Sequence, residues 1–532
     1  MKNIKTIIAL LLIFSMFFLL CACSDNTDDP SERIIKYNIE SEPVTLDPQI
    51  ADDSASKLVI LNIFEGLMRL DENDRAVLGA AENYKANNNY TQYEFTLRDG
   101  AMWNDGTALT ANDFKYGIVR ALSPETGSET VEELYCIKNA EDFHKGKAKE
   151  TDLGISVSGN KIIFNLQYSD EDFPKVLASP PTMPCNEKFF ISVKGQYGRE
   201  DEFILSNGAF FIKEYGWTHG ESIKLRSNKN YVGNKKAVSG GVDISIGSID
   251  NGYEAISDGT VDCYAISGSD LENAKNSGMT IKSYDDTTWG ICFNMQNKTM
   301  QNDNIRKGLL ASINRESIEK AVPAHYNIAR GIVPESVEVG SQNYRTKAGE
   351  MYIKQSKDAK KYLYKGIEEL ELTRLTDIEI LCPNDEKLQP MINEILEDWN
   401  ESTGYYFNKN PVSASELEYA VSVGNYTAAF LPIQSDGDSP FDTLKKFRSN
   451  ESGNVCGLNS KEYDSYISEI ENSSDTESLA TIIKAEKYLC DNAIFYPICT
   501  ETRYYASAKN ITGITFHQFG AEADFVGAAS RQ

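Results

Sequence analysis

Histidine is scarce in this chain: four residues in 532, at positions 144, 219, 325 and 517, none close to another. There is no HExxH, so a zinc hydrolase site has no ligands to build from. GxSxG and GxxxxGK[ST] are also missing, which removes the nucleophile elbow and the phosphate-cradling loop. SxxK tetrads occur, among them Ser54–Lys57 and Ser158–Lys161, but the only SDN precedes them all (Ser24–Asn26) and KTG is absent. The cysteines beyond residue 23 are scattered and form no CxxC, so neither a metal knuckle nor a dense disulfide framework is indicated. Cys490, late in a helix, and Cys499, in the strand after it, form a candidate pair. Positive charge is the minority sign: 53 Lys and Arg against 79 Asp and Glu give a net charge of -26. Nucleic acid, which needs clustered cations, is a poor partner. No long apolar run follows Leu20. The expectation is a protein without catalytic residues, cofactor or metal.

What is present begins with an export signal. Lys2 and Lys5 precede the apolar run Ile7–Leu20, and a polar, acidic stretch follows. The run is short for the ~20 apolar residues of a bilayer span. Without residues 1–22, which hold two lysines and no acid, the net charge becomes -28. That charge serves solubility or a preference for cationic ligands. A chain of 532 residues exceeds one compact core, so two or three units are expected.

The stretch Gln92–Ser123 is the most informative. Tyr93, Phe95 and Leu97 alternate with polar residues, the period of a half-buried strand. Asp99-Gly100 turns the chain, and a second turn follows Met102-Trp103 at Asn104–Thr107. Thr110 with Asp113 caps a helix whose Phe114, Ile118 and Leu122 share one face, and Ser123-Pro124 ends it. Earlier, Ile34–Ile39 reads as a strand and Lys57–Leu67 as a helix. Later, helices and strands alternate from 356 to 433, which predicts an α/β unit. Two amphipathic helices, Ser460–Ser473 and Thr476–Asn492, precede a final strand, Ile494–Ala506.

These blocks, in this order, resemble the family 5 extracytoplasmic solute-binding proteins, the peptide-binding subunits of ABC importers. The resemblance rests on the signature stretch, on Glu42-Pro43-Val44-Thr45-Leu46-Asp47-Pro48, on Phe64-Glu65-Gly66-Leu67, and on Asn207–Phe211 with Asn228–Tyr231. In the last block Ala209 and Val232 replace the usual Pro and Trp. Leu20-Cys21-Ala22-Cys23 resembles a lipobox, which makes Cys23 the lipidated residue.

The resemblance implies an α/β, two-lobed fold of the periplasmic-binding-protein kind (type II, family 5 cluster C), with a third subdomain inserted in the first lobe. The implied division is signal peptide 1–22, tether 23–33, lobe I from 34–62, 200–288 and 507–532, inserted subdomain 63–199, and lobe II 289–506. It also implies a monomeric, lipid-anchored receptor on the outer face of the cell membrane. Such a receptor closes around an oligopeptide and passes it to permease subunits served by cytoplasmic ATPases.

Asp52 and Ser54 match cleft-lining positions. Trp289 and Asn294 lie on a crossing strand, where Trp289 is either a ligand-facing or a core aromatic. Relatives carry Trp-x-x-Asp where this chain has Leu431 and Gln434, and that Asp holds the peptide's α-amino group. A neutral Gln434 leaves three routes open: Asp436 or Asp438 takes over, the amine is held differently, or the ligand is not a free-amine peptide. The alternatives are a receptor for a chelated metal, an oligosaccharide or a signalling peptide, and, more remotely, a surface hydrolase or adhesin. In the hydrolase reading Asp436 and Asp438 are paired acids.

Overall fold

A computed structural model describes residues 33–531, apart from 129, 130, 324, 341, 377, 436, 438, 452 and 519–522. The expected signal peptide and Cys23 therefore lie outside the described residues.

A four-stranded sheet opens the fold. Ile34–Ile39 pairs in parallel with Gly241–Ile246, which continues antiparallel to Ser222–Ser227 and then Phe210–Thr218. A second four-stranded sheet, wholly antiparallel, runs Ala81–Ala86, Gln92–Leu97, Lys161–Asn165, Ile155–Ser158. Its alternating Tyr93, Phe95 and Leu97 are buried, as the period-2 pattern requires. Gly100, with φ of 76°, makes the turn after them, in a region closed to most side chains. Helix Ala111–Leu122 starts at a capping box in which Asp113 accepts from the Thr110 amide at 2.7 Å, and it stops at Ser123. Both sheets share one hydrophobic core, which also takes in Ile511, Phe516 and Phe525 near the chain's end.

The third sheet has seven strands and is mixed. Its centre is a long antiparallel pair, Thr280–Phe293 with Phe495–Ser507. Cys263–Ile266 and Tyr326–Ile328 pair with Phe495–Ser507. Ala428–Gln434, Glu379–Pro383 and Asn408–Val412 extend the sheet from Thr280–Phe293. Helices cover both faces of this sheet. Ile305, Leu309, Ile395 and Trp399 pack on one face, while Ile467, Ile482, Ala485 and Leu489 pack on the other.

Two expectations shift. The helix expected from Lys57 starts earlier, at Ser54, and ends at Ile63, because Asp53 caps it by accepting from the Ser56 amide at 2.8 Å. The cysteine pairing is also different. Cys490 and Cys499 are both free and buried, and the disulfide joins Cys292 to Cys456, with Cα atoms 5.9 Å apart. The reason is facial. The helix carrying Cys490, Asp475–Asp491, packs Ile482, Ala485 and Leu489 on one face of the sheet, while Cys499 points into the core of the opposite face. Cys292 and Cys456 share the first of those faces.

Candidate functional site

The first body, built on the two four-stranded sheets, and the second, built on the seven-stranded sheet, are joined at the long central pair. On Thr280–Phe293, pairing with Ala428–Gln434 begins at Thr287, immediately after a bulge that leaves Asp286 as the extra residue. Asp286 is buried and ion-paired with Arg503 of the neighbouring strand. Arg503 also donates to the Gln518 carbonyl, and the Gln518 amide donates to the Asp285 carbonyl and to Ser336. The joint is thus tied by side chains from both bodies. Its backbone also holds a loop: the Ser435 amide donates to the Asp286 carbonyl at 3.0 Å.

That loop follows the strand Ala428–Gln434 and leads into helix Pro440–Leu444, which opens with a Ser439–Asp442 capping box. Its neighbours across the gap belong to the first body. Glu133 is exposed to water yet feels Lys57 of the first helix, and Asp442 and Lys445 of the second body, with Ser179 hydrogen-bonded to its carboxyl. The protein packed around that carboxyl raises it, and Asp442 adds to the rise. Asp475 is lifted to about 7 as well, first by desolvation and then by Asp442, Asp172 and Asp170, against a hydrogen bond from Ser439. Asp170 is raised to about 6, chiefly by desolvation. Charged side chains of both bodies thus act on Glu133, and the crevice between those bodies is the candidate site.

The residues singled out from sequence fall at several places in the fold. Asp52 and Ser54 are exposed at the start of the helix that carries Lys57. Gln434 is exposed at the end of its strand, opposite Thr287. Asp436 and Asp438 lie outside the described residues, although Ser435, Gly437 and Ser439 around them are described. Trp289 is half-buried, stacks on Phe430 with centroids 5.7 Å apart, and donates its indole N–H to Glu501 at 2.8 Å. Asn294 is buried, and its amide donates to the carbonyls of Gly424 and Tyr426, both at 2.9 Å, so its polar groups serve the backbone.

Glu133, Asp170, Asp172 and Asp475 carry no sequence signal of their position. Of the acids here only Asp442 has a local signal that could have found it, as the third residue after a capping Ser439. Among the described residues no group of histidine, cysteine and acidic side chains is placed to hold a metal.

Residues 75–454 match the model of the bacterial extracellular solute-binding proteins, family 5. The oligopeptide-binding protein OppA of Bacillus subtilis is 27% identical over 540 residues, covering 97% of both chains. The dipeptide-binding protein DppE of the same organism is 25% identical and covers 98% of each. The substrate-binding domain of an oligopeptide ABC transporter from Bacillus anthracis superposes with a TM-score of 0.72 at 22% identity, covering 94% of this chain and 99% of that one. The Escherichia coli murein tripeptide binding protein MppA gives 0.73 at 21%, with the same coverage. Both superpositions establish the two-lobed α/β architecture.

Proposed function

Because the chain belongs to the bacterial extracellular solute-binding proteins of family 5, we propose that it is the oligopeptide receptor of an ABC importer. In this reading it closes two bodies about the strands Thr280–Phe293 and Phe495–Ser507 and presents the closed form to the membrane permease. The observation that carries it is the crevice where Glu133 and Lys57 of one body meet Asp442 and Lys445 of the other. Full-length likeness to relatives named for peptides supports the choice of ligand. An extended peptide suits such a gap, since its backbone can be held without reading its sequence and water can fill around its side chains. The chain supplies no catalytic step of its own, acts as a monomer, and is tethered by a lipid on Cys23. The energy for transport comes from ATPases in trans.

The α-amino group is taken by Asp436 or Asp438, two or four residues past Gln434. Charge-assisted hydrogen bonds of this kind contribute about 1.5–3 kcal/mol. Native mass spectrometry of the purified protein should show a retained peptide, and calorimetry with short peptides should show binding that N-acetylation weakens. Replacing both Asp436 and Asp438 by Asn should weaken free-amine peptides about tenfold or more. Equal affinity for acetylated and free peptides would remove the amine contact. Retention of a sugar or a chelated metal in place of peptide would favour the second reading, which the neutral Gln434 motivates.

A further inference from the structure

Thr287, the first residue past the bulge at Asp286, pairs with Gln434 on one side and with Glu501 on the other. Tyr326 pairs with Glu501 on the next strand. Residues directly opposite one another in a sheet share a face, so Gln434, Thr287, Glu501 and Tyr326 form one row across four strands. Neighbouring strands lie about 4.8 Å apart, which sets Gln434 and Glu501 about 10 Å apart with the short Thr287 as the floor between them. Trp289, two residues further along the strand, closes one end of this trough. It stacks on Phe430, and its indole N–H donates to Glu501 at 2.8 Å. The other end is the bulge, where the second body meets the first. Gln434 also ends a strand that runs parallel to Glu379–Pro383, and ligands of such sheets bind beyond the carboxyl ends of the strands.

The charges around the trough are uneven. Asp286 is ion-paired with Arg503, and Asp285 accepts from the Thr502 hydroxyl at 2.6 Å. Glu501 is half-buried and has the neutral indole as donor. Among the described residues no lysine, arginine or histidine is ion-paired with it. A carboxylate so placed has given up part of its water and gained no opposite charge, and a cation brought by a ligand supplies one. The indole takes Oε2 and so fixes the carboxylate before a ligand arrives.

We propose that this trough is a side-chain pocket for a lysine or arginine of the bound peptide. The cation meets Glu501, its aliphatic stem lies over Thr287 beside Trp289, and the exposed Gln434 offers its amide oxygen from the opposite wall. The inference rests on the peptide-receptor reading and names a side chain that the receptor selects. Its contact is separate from the α-amino contact assigned to Asp436 or Asp438.

The experiment is calorimetry of the ligand-stripped protein with short free-amine alanine peptides that carry one lysine, moved along the peptide, against the same peptides with norleucine in its place. At one position lysine should bind about tenfold more tightly than norleucine. Glu501→Gln keeps an acceptor for the Trp289 indole but removes the charge, and should erase that preference. Glu501→Lys should reverse it, so that glutamate at the same position binds more tightly than lysine. Absence of a lysine preference at every position in the parent overturns the pocket without need of a variant, as does a preference that survives Glu501→Gln. A loss in Glu501→Gln that is equal for lysine and norleucine peptides, and that disappears when both are N-acetylated, places Glu501 at the amino terminus and also overturns it. If no peptide binds at all, the receptor reading fails and the pocket falls with it.

Discussion

Glu65 is 7% exposed, accepts a hydrogen bond from the Tyr231 hydroxyl, and has Arg69 at 3.9 Å. Loss of hydration outweighs both partners and raises its carboxyl from 4.5 to about 7. A raised acid is protonated in the folded state first, so its contribution is complete below about 4.5 and is lost as the pH climbs through 7. Glu65→Gln should flatten stability against pH in that window and gain on the order of 2 kcal/mol near pH 8 relative to the parent. Urea denaturation at several pH values measures this, and an unaltered slope rejects it. Glu486 is a second buried acid. It is fully buried but accepts from the Ile332 and Val333 amides at 2.7 and 3.1 Å, from Tyr344 at 2.8 Å and from Arg345 at 2.6 Å. Two buried acids thus differ by the number of donors the fold brings to them.

Helix Ala111–Leu122 sets intrinsic preference against packing. Gly117 lies in its interior, where alanine normally gains about 1 kcal/mol. Here a Cβ would run into the Met183 carbonyl oxygen, on a backbone that has no side-chain freedom to yield. Gly117→Ala should therefore destabilise by about 1–3 kcal/mol, read as a fall in the urea midpoint; a rise would show that the 183 segment can retreat. Element ends followed local chemistry closely. Thr110 with Asp113 was legible as a cap, and the structure places the helix start there. Asp53 lies before the more obvious apolar run after Lys57, and its cap sets that helix's start at Ser54.

For the whole molecule, ligand binding should appear as stability. A peptide at 100 times its dissociation constant adds about 2.7 kcal/mol, so thermal unfolding should shift upward with peptide and much less with its N-acetylated form. No shift with any peptide would contradict the proposed ligand.

The strands and helices were legible in the period-2 and helical repeats, which neighbours within a few residues set, and the order of the motifs resembled the family that the match over residues 75–454 shows. The cysteine partners were not legible. Cys292 and Cys456 are 164 residues apart and meet only because both point to one face of the seven-stranded sheet. The surroundings of Glu133 were equally unreadable. Glu133 looks like any surface carboxylate in the sequence, and only the folded bodies bring Lys57 of one and Asp442 of the other to act on it. Distance through space, rather than along the chain, decides which charges meet.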